Sequence, residues 1–294
     1  MIRMTTLAVA AVLASSAPAY AAWNDPQQPF NVFGNTWYVG TKELSAILIT
    51  SPQGHVLLDG AVPESAPLIE KNIRELGFKV EDVKLIVNSH AHIDHAGGIA
   101  ALQRASGAVV AASAHGAQVL RDGTIGKDDP QYTAAKPDHF PKVAQVKTVR
   151  DGEVLKAGAL SVTAHMTPGH TPGSTTWTWQ SCDGAKCLDV VYADSVTAVS
   201  LGDYRFSGGK GAADVSTLFK ASIDKIGALK CDVLLTTHPG ASGIMEKLAA
   251  KTPLHNPFID TGACRALAEG AQAKLAARIG SERGVKAVAA PPRH

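Results

Sequence analysis

One short stretch of the chain, Ser89–Gly98, concentrates side chains that bind metal ions. Imidazole and carboxylate groups are seldom buried without a partner, so packing alone does not explain such a cluster. Nitrogen donors with a single carboxylate suit zinc, which tolerates variable geometry and keeps an open position in catalytic sites. The metal ligands predicted in this stretch are His90, His92, Asp94 and His95.

The spacing of these residues indicates two ions rather than one. His90 and His92 are two positions apart, so in extended backbone both side chains point to the same side and reach one ion. Asp94 and His95 follow after the chain turns and can face a second ion beside the first. A His-x-His pair alone is weak evidence, because it also occurs in solvated polar loops. The complete His-x-His-x-Asp-His run predicts a metal site.

Two further histidines follow predicted strands and are followed by Pro-Gly turns. His170 lies within Thr167–Gly173, and His238 is followed by Pro239 and Gly240. Proline and glycine fix the backbone at such turns, which holds a ligand side chain in place. With the first cluster they complete two sets of three ligands. The loop of His139 can approach a substrate. Otherwise the remaining histidines are interpreted as structural or surface residues, and they are His55, His115, His139, His165, His255 and His294.

The elements that position these residues alternate between strand and helix. Apolar and β-branched runs predict strands at 35–39, 44–50, 55–58, 83–87, 108–112, 160–166, 175–180, 188–193 and 232–237. Amphipathic or Ala-rich runs predict helices at 63–76, 99–107, 215–229 and 262–279. Two β-rich halves, each shielded by helices, imply two sheets packed face to face with helices outside. Residues 121–141, rich in Gly, Asp and Pro, form a surface loop that can overhang a site.

The first 21 residues have the pattern of a cleaved secretory signal peptide. Arg3 supplies the positive start, an apolar run of Ala, Val and Leu follows, and Ala19-Tyr20-Ala21 is a small-x-small cleavage site. We expect a mature protein of residues 22–294 in a bacterial periplasm, folded as a single domain because no linker, charge run or repeat divides it. The net charge of +2 arises from interspersed charges, which gives no field for nucleic acid or anionic membrane. We expect neither as a partner.

Four cysteines in an exported chain predict disulfide bonds. Cys182 and Cys187 bracket a hairpin tip between two predicted strands, and a bridge across its base fits both the turn and an oxidising compartment. Cys231 and Cys264 then pair by exclusion, which ties a late strand to the C-terminal helix. A zinc knuckle is the alternative, but Cys-x4-Cys has no second cysteine pair nearby.

Four motifs together resemble the metallo-beta-lactamases of subclass B3. They are His90–Gly98, Thr167–Ser174, Tyr192–Ser195 and His238–Ser242, and the similarity extends over nearly all of the predicted mature chain. The resemblance implies a four-layer αβ/βα sandwich in which two mixed sheets pack face to face with helices outside. It also implies zinc-dependent hydrolysis of the β-lactam amide bond of penicillins, cephalosporins and carbapenems, and hence antibiotic resistance. A monomer is expected.

The resemblance assigns roles to individual residues. It implies two Zn²⁺ per chain, and a metal-bound water that loses its proton near neutral pH to attack the lactam carbonyl. Asp94 would orient that hydroxide and relay a proton, while Ser195 and Thr197 would bind the substrate carboxylate. Other subclasses have a cysteine ligand near Asp194, where this chain has none. The implied ligands are His90, His92 and His170 for the first zinc, and Asp94, His95 and His238 for the second.

Two alternative functions stay open at the level of sequence. Another hydrolase of the same superfamily would act on a lactone, a thioester or a phosphodiester, and in several such enzymes an aspartate near the position of Asp194 bridges both metals. Export favours the lactamase, because thioester and RNA processing are normally cytoplasmic. An exported zinc-binding protein without catalysis is the second alternative. It would close its site with four protein ligands, whereas sets of three leave positions open for water.

Overall fold

The computed structural model describes residues 21–135, 138–209 and 212–284. The strands are β1 Phe30–Phe33, β2 Thr36–Tyr38, β3 Ile47–Ile49, β4 His55–Leu58, β5 Val83–Val87, β6 Val109–Ser113, β7 Val146–Val149, β8 Val154–Ala157, β9 Leu160–Met166, β10 Thr175–Asp183, β11 Lys186–Ala193 and β12 Val233–Thr236. The α-helices are α1 Ala66–Glu75, α2 Ile93–Ala96, α3 Ile99–Ser106, α4 Ala114–Asp122, α5 Ser216–Ala228, α6 Ile244–Ala250 and α7 Ala263–Glu282.

The strands form two mixed sheets. In the first sheet, β1 to β7 lie in chain order, antiparallel from β1 to β4 and parallel from β4 to β7. The second sheet has the order β12-β11-β10-β9-β8, and only its β11–β12 pair is parallel. Parallel neighbours need crossovers, and these crossovers supply helices that cover the outer faces.

Strand β5 shows why the central strands are apolar throughout. Leu85 and Val87 pack into the core between the two sheets, whereas Ile86 packs into the core between the first sheet and its helices. Successive side chains of a strand point to opposite faces, so a strand covered on both faces needs apolar residues at every position. A continuous apolar run therefore indicates a buried central strand.

The molecule has four layers. Helices α1, α3 and α4 cover the outer face of the first sheet, and the core between the sheets contains Trp177 and Trp179 of β10. Helices α5 and α7 pack against each other and cover the second sheet. The predicted α/β sandwich of two face-to-face sheets with outer helices is confirmed.

Some elements differ from those that the sequence predicts. The predicted strand at 44–50 is shortened to Ile47–Ile49, because Ser45 donates its backbone N–H to the Thr237 carbonyl just after β12, at 2.9 Å, instead of pairing within the first sheet. The sequence patterns also missed β1, β7, β8, α2 and α6. These elements are short, and β7 and β8 alternate too weakly between apolar and polar positions to be distinguished from loops.

Both disulfide pairs that the sequence predicts are bonded. Cys182 and Cys187 are directly opposite each other at the end of the β10–β11 hairpin. Cys231, just before β12, is bonded to Cys264 in the first turn of α7. The predicted signal peptide lies outside the described residues except for Ala21. Within the described part of the chain, no helix is both long and apolar enough to cross a membrane.

Candidate metal centre

The predicted ligands meet where several strands end. His90 and His92 follow β5, and Asp94 and His95 lie in the single turn of α2. His170 lies in the connection between β9 and β10, and His238 follows β12. Because these strand ends share one edge of the sandwich, six residues from four parts of the chain lie close together.

A buried carboxylate, Asp59, holds the turn between β5 and α2. It accepts hydrogen bonds from the Asn88 side chain at 2.9 Å, from the Ser89 backbone N–H at 2.8 Å and hydroxyl at 2.6 Å, and from the Tyr192 hydroxyl at 2.8 Å. The backbone of Asp59 is left-handed, with φ +59°, which is uncommon for a residue other than glycine. This strained residue connects both sheets to the ligand turn.

The two glycines of the first motif permit a close approach of the chain. A Cβ on Gly98 would lie 2.2 Å from the Gly60 carbonyl oxygen, and a Cβ on Gly97 would lie 2.4 Å from the Pro63 ring. Any side chain at either position would push the segment after β4 away from α2. The glycines therefore have a structural role beside the ligands.

His90, His92 and His170 form the first ligand group, with one donor atom from each lying within 4.8 Å of the others. His90 donates from Nδ1 to Asp194 at 2.6 Å, and His92 donates from Nε2 to Asp129 at 3.0 Å. These contacts leave the Nε2 lone pair of His90 and the Nδ1 lone pair of His92 for a metal ion. His90 Nε2 is buried and has no hydrogen-bond partner among the described residues.

His170 is oriented in the same way by the loop after β11. Its Nδ1 donates to the Thr197 carbonyl oxygen at 2.9 Å, which leaves Nε2 as the electron-pair donor. Burial, together with the neighbouring His90 and His92, lowers the pKa of His170 to about 3. Burial also lowers the pKa of His90 well below its ordinary value. Both imidazoles are therefore neutral near pH 7, as metal ligation requires.

Asp94, His95 and His238, which the sequence predicts as the second ligand group, have donor atoms close to one another. Asp94 Oδ2 lies 3.2 Å from His95 Nε2 and 3.3 Å from His238 Nε2, and the two Nε2 atoms are 3.3 Å apart. A tetrahedral zinc ion with ligand bonds of about 2.0–2.1 Å separates its donor atoms by about 3.3–3.4 Å. The three atoms thus form one face of such a tetrahedron, and the donor set fits a zinc ion.

Asp94 is ionised in this arrangement. Burial raises its pKa, but the charge of His95 and the hydrogen bond from His238 outweigh burial and hold the pKa well below its ordinary value. His95 is fully buried, whereas the side chain of His238 is 42% exposed. The second ligand group is therefore open to solvent on the side of His238.

A cleft of about 440 Å³ opens over both groups. The loop after α4 forms one wall and provides Asp129, the partner of His92. The loop after β11 forms the opposite wall, and its Leu201 N–H donates to the Pro130 carbonyl at 2.9 Å, so the two loops are joined beside the cleft. The cleft is lined by Trp23, His92, Ile93, Asp94, Gln131, Thr133, Asp138, His170, Thr197, Val199, Leu201 and His238. The loop of residues 121–141, which the sequence predicts to overhang a site, therefore borders the cleft.

The two predicted carboxylate-binding residues are placed differently. Thr197 lines the cleft, whereas the Ser195 hydroxyl is 2.9 Å from that of Thr237 and lines a neighbouring cavity. The sequence patterns did not identify Asp59 or Asp129 as partners of the ligand residues. Asp59 is preceded by an apolar strand and followed by glycine, and this pattern could have indicated a functional carboxylate at the end of β4.

Among the described residues, the other histidines do not line the cleft. His55 packs edge-on against Phe78, His115 pairs with Asp128, and His165 hydrogen-bonds to Thr178. His139 and His255 are exposed. His294 lies outside the described residues. A larger groove, about 570 Å³, lies beside β9 and β10 and is lined by none of the predicted ligands.

Comparison with known proteins gives one family. A family model described as "Metallo-beta-lactamase superfamily" matches residues 43–238. Among solved structures, Rm3 metallo-beta-lactamase is 49% identical, with a TM-score of 0.88 over 92% of this chain and 100% of that chain. MEM-A1, a subclass B3 metallo-beta-lactamase isolated from a soil metagenome library, is also 49% identical, with a TM-score of 0.86 over 90% of this chain and 100% of that chain.

Curated relatives match over a shorter segment. A hydroxyacylglutathione hydrolase of Anaeromyxobacter dehalogenans is 32% identical over 155 residues, which are 53% of this chain and 46% of that protein. The chain thus spans about half the length of the curated relatives that it matches. The similarity to the subclass B3 structures is higher and extends over most of the chain.

Proposed function

Because the chain belongs to the metallo-beta-lactamase superfamily, with subclass B3 enzymes among its structural neighbours, we propose that it hydrolyses the amide bond of β-lactam antibiotics with the help of bound zinc. The observation that carries this proposal is the pair of three-ligand groups side by side beneath one open cleft. Each group leaves positions that protein atoms do not fill, as catalytic zinc sites do. The antibiotic-resistance role follows from this activity.

Six side chains would hold two Zn²⁺ ions. The first ion would be bound by His90, His92 and His170, and the second by Asp94, His95 and His238. When bound, the metal ions would activate a water molecule for attack on the lactam carbonyl and stabilise the charge that develops on its oxygen and nitrogen.

Residues of the chain would orient the reactants. Asp94 is ionised at the base of the cleft, so its carboxylate can accept a hydrogen bond from the attacking water and orient it. We propose that it also helps to relay a proton towards the lactam nitrogen. The Thr197 hydroxyl lies at the cleft wall, where it can donate to the substrate carboxylate. Ser195 would contribute at the border with the neighbouring cavity. No covalent intermediate with the enzyme is required.

We infer a signal peptide of residues 1–21 and a single domain of residues 22–294 that acts in the periplasm as a monomer. The two disulfides support an oxidising compartment. The small net charge of +2 supports a small-molecule substrate rather than nucleic acid or a membrane surface.

Hydrolysis of a lactone or a thioester is the second candidate, favoured by the match to a hydroxyacylglutathione hydrolase. The contact between Asp194 and His90 argues against an aspartate that bridges two metals, because Asp194 Oδ1 binds the Nδ1 side of the imidazole. Activity on such substrates without turnover of any lactam would favour this candidate.

The test is hydrolysis of a chromogenic cephalosporin and a carbapenem by purified residues 22–294, with and without chelator, together with zinc counting. We expect turnover of both, loss with chelator, recovery with zinc, and two zinc ions per chain. His170→Ala should reduce kcat/KM by several orders of magnitude. His255→Ala is the matched control, because His255 is exposed and outside the cleft. Lack of turnover in the zinc-loaded protein would disprove the proposal.

A further inference from the structure

A second cavity of about 360 Å³ adjoins the metal cleft. It lies between helix α7 and the segments that follow β11 and β12. Ligand pockets usually measure about 300–1,000 Å³, so this cavity lies at the small end of that range and has room for a substituent of a larger molecule. Its position beside the cleft makes it an extension of the site.

Two residues join the cavity to the cleft. Thr197 and His238 line both spaces, so the cavity and the cleft meet at these two side chains. Thr197 is the proposed partner of the substrate carboxylate, and His238 is a proposed ligand of the second metal. A substrate with its carboxylate at this border would place the carboxylate-bearing ring carbon there. Any substituent on the adjacent ring carbon would then lie at the mouth of the cavity.

The walls of the cavity have two different chemistries. The α7 wall consists of small or apolar side chains, including Ala266, Gly270 and Ala271. The opposite wall carries the hydroxyl groups of Ser195 and Thr237, which hydrogen-bond to each other at 2.9 Å. A flat or aliphatic group would pack against α7.

One cation stands at the outer end of the α7 wall. Lys274 is exposed, lines the cavity, and makes no hydrogen bond or ion pair that involves another described residue. The acidic residue among the lining residues, Asp194, is buried against His90 and forms no ion pair with Lys274. The charge at the rim therefore favours an anionic group that reaches past the apolar wall.

We propose that this side cavity is a subsite for the substituent next to the carboxylate-bearing carbon of the fused ring, and that it selects substituents with an apolar body and an anionic end. The inference rests on the proposed lactam hydrolysis. It assigns to Lys274 a role in specificity and to Gly270 the role of keeping the cavity open. Penicillins carry only two methyl groups on that carbon, so selection for an anionic end concerns cephalosporins and carbapenems.

The first test uses two cephalosporins with the same acyl side chain that differ only at ring carbon 3, one with methyl and one with a group ending in a carboxylate. In Lys274→Glu, the ratio of kcat/KM for the acidic compound to that for the methyl compound should fall about three- to tenfold, as expected for reversal of an exposed charge. Arg265→Glu, an equally exposed reversal on α7 outside the cavity, should keep the wild-type ratio.

The second test fills the cavity. Nothing lies within 4 Å of a Cβ placed on Gly270 or on Gly280, and both glycines are in α7, but only Gly270 lines the cavity. Gly270→Leu should raise KM for the acidic compound more than for the methyl compound, whereas Gly280→Leu should not. Leucine is a better helix former than glycine, so neither variant weakens α7.

A binding measurement separates the possible failures. Calorimetric titration with the alkaline hydrolysis product of the acidic compound should give a Kd that Lys274→Glu raises by a similar factor. An unchanged ratio and an unchanged Kd in Lys274→Glu, in a wild-type protein that hydrolyses both compounds, would overturn the subsite alone. A wild-type protein that hydrolyses neither compound would overturn the proposed function and the subsite with it.

Discussion

The Nδ1 atom of His90 lies 2.6 Å from the Oδ1 atom of Asp194, and both side chains are only 1% exposed. The carboxylate fixes the tautomer of the imidazole, so that the opposite nitrogen, Nε2, carries the lone pair that faces the other ligands. Carboxylate partners of this kind orient metal-binding histidines and increase their basicity. The same contact explains how an aspartate close to the ligand cluster can act without being a ligand itself.

Replacement of this carboxylate should weaken metal binding. We expect Asp194→Asn to lower zinc affinity about 10- to 100-fold, because an amide of the same size no longer fixes the imidazole by a charge-assisted bond. Competition with a chromogenic chelator would measure the change. Asp128→Asn is the control, since Asp128 is exposed and pairs with His115. Equal affinities in wild type and Asp194→Asn would show that the contact does not orient His90.

Asp59 should contribute to stability rather than to metal chemistry. Its carboxylate accepts from Asn88, from the N–H and hydroxyl of Ser89, and from Tyr192, and it is fully buried. An asparagine would present N–H groups to some of these donors and leave them unsatisfied. We expect Asp59→Asn to lower the free energy of unfolding by about 2–4 kcal/mol in denaturant titrations. The exposed substitution Asp183→Asn should change it by less than about 0.5 kcal/mol.

The order of the central elements could be predicted because it depends on local pattern. The apolar run Val83–Val87 and the Pro and Gly residues at the ends of the 63–76 segment are properties of short windows. The disulfides could also be predicted from local sequence, since Cys182 and Cys187 bracket a recognisable hairpin tip. Residue type and spacing were enough to propose the candidate ligands, which the structure brings close together.

The partners of those ligands could not be predicted, because they depend on contacts distant in sequence. Asp129 is 37 positions from His92, and Asp194 is 104 positions from His90. Nothing in the Asp128-Asp129-Pro130 segment indicates which aspartate faces inward. The side cavity likewise exists only because α7 packs beside the ends of β11 and β12.

Glu282 should make stability depend on acidic pH. Burial raises the pKa of Glu282. Hydrogen bonds from the Arg278 side chain and from the backbone N–H groups of Phe206 and Ser207 outweigh burial and hold the pKa below its ordinary value. A lowered folded-state pKa means that the stabilisation is complete above the unfolded value of 4.5 and is lost as pH falls through the folded value.

We therefore expect Glu282→Gln to lower the free energy of unfolding by about 1–3 kcal/mol at pH 7. The difference from wild type should shrink as pH falls below about 4. Urea titrations at several pH values would test this. Glu75→Gln is the control: Glu75 pairs with Lys71 on the surface, where a pair contributes only about 0.3–0.5 kcal/mol. A Glu282→Gln difference that stays constant with pH would contradict the explanation.

The two disulfides should differ in their contribution to stability because they close loops of different length. Cys182 and Cys187 are five positions apart, whereas Cys231 and Cys264 are 33 positions apart. Loop-closure entropy gives about 2 kcal/mol for the short loop and about 4 kcal/mol for the long one. Replacement of the pair Cys231 and Cys264 by alanine also removes buried side chains, which further lowers the free energy of unfolding.

Denaturant titrations of the two double-alanine variants should therefore show a larger loss of unfolding free energy for the pair Cys231 and Cys264. Equal losses would mean that the unfolded chain is already compact around the longer loop, since residual structure there reduces the entropy that a cross-link removes.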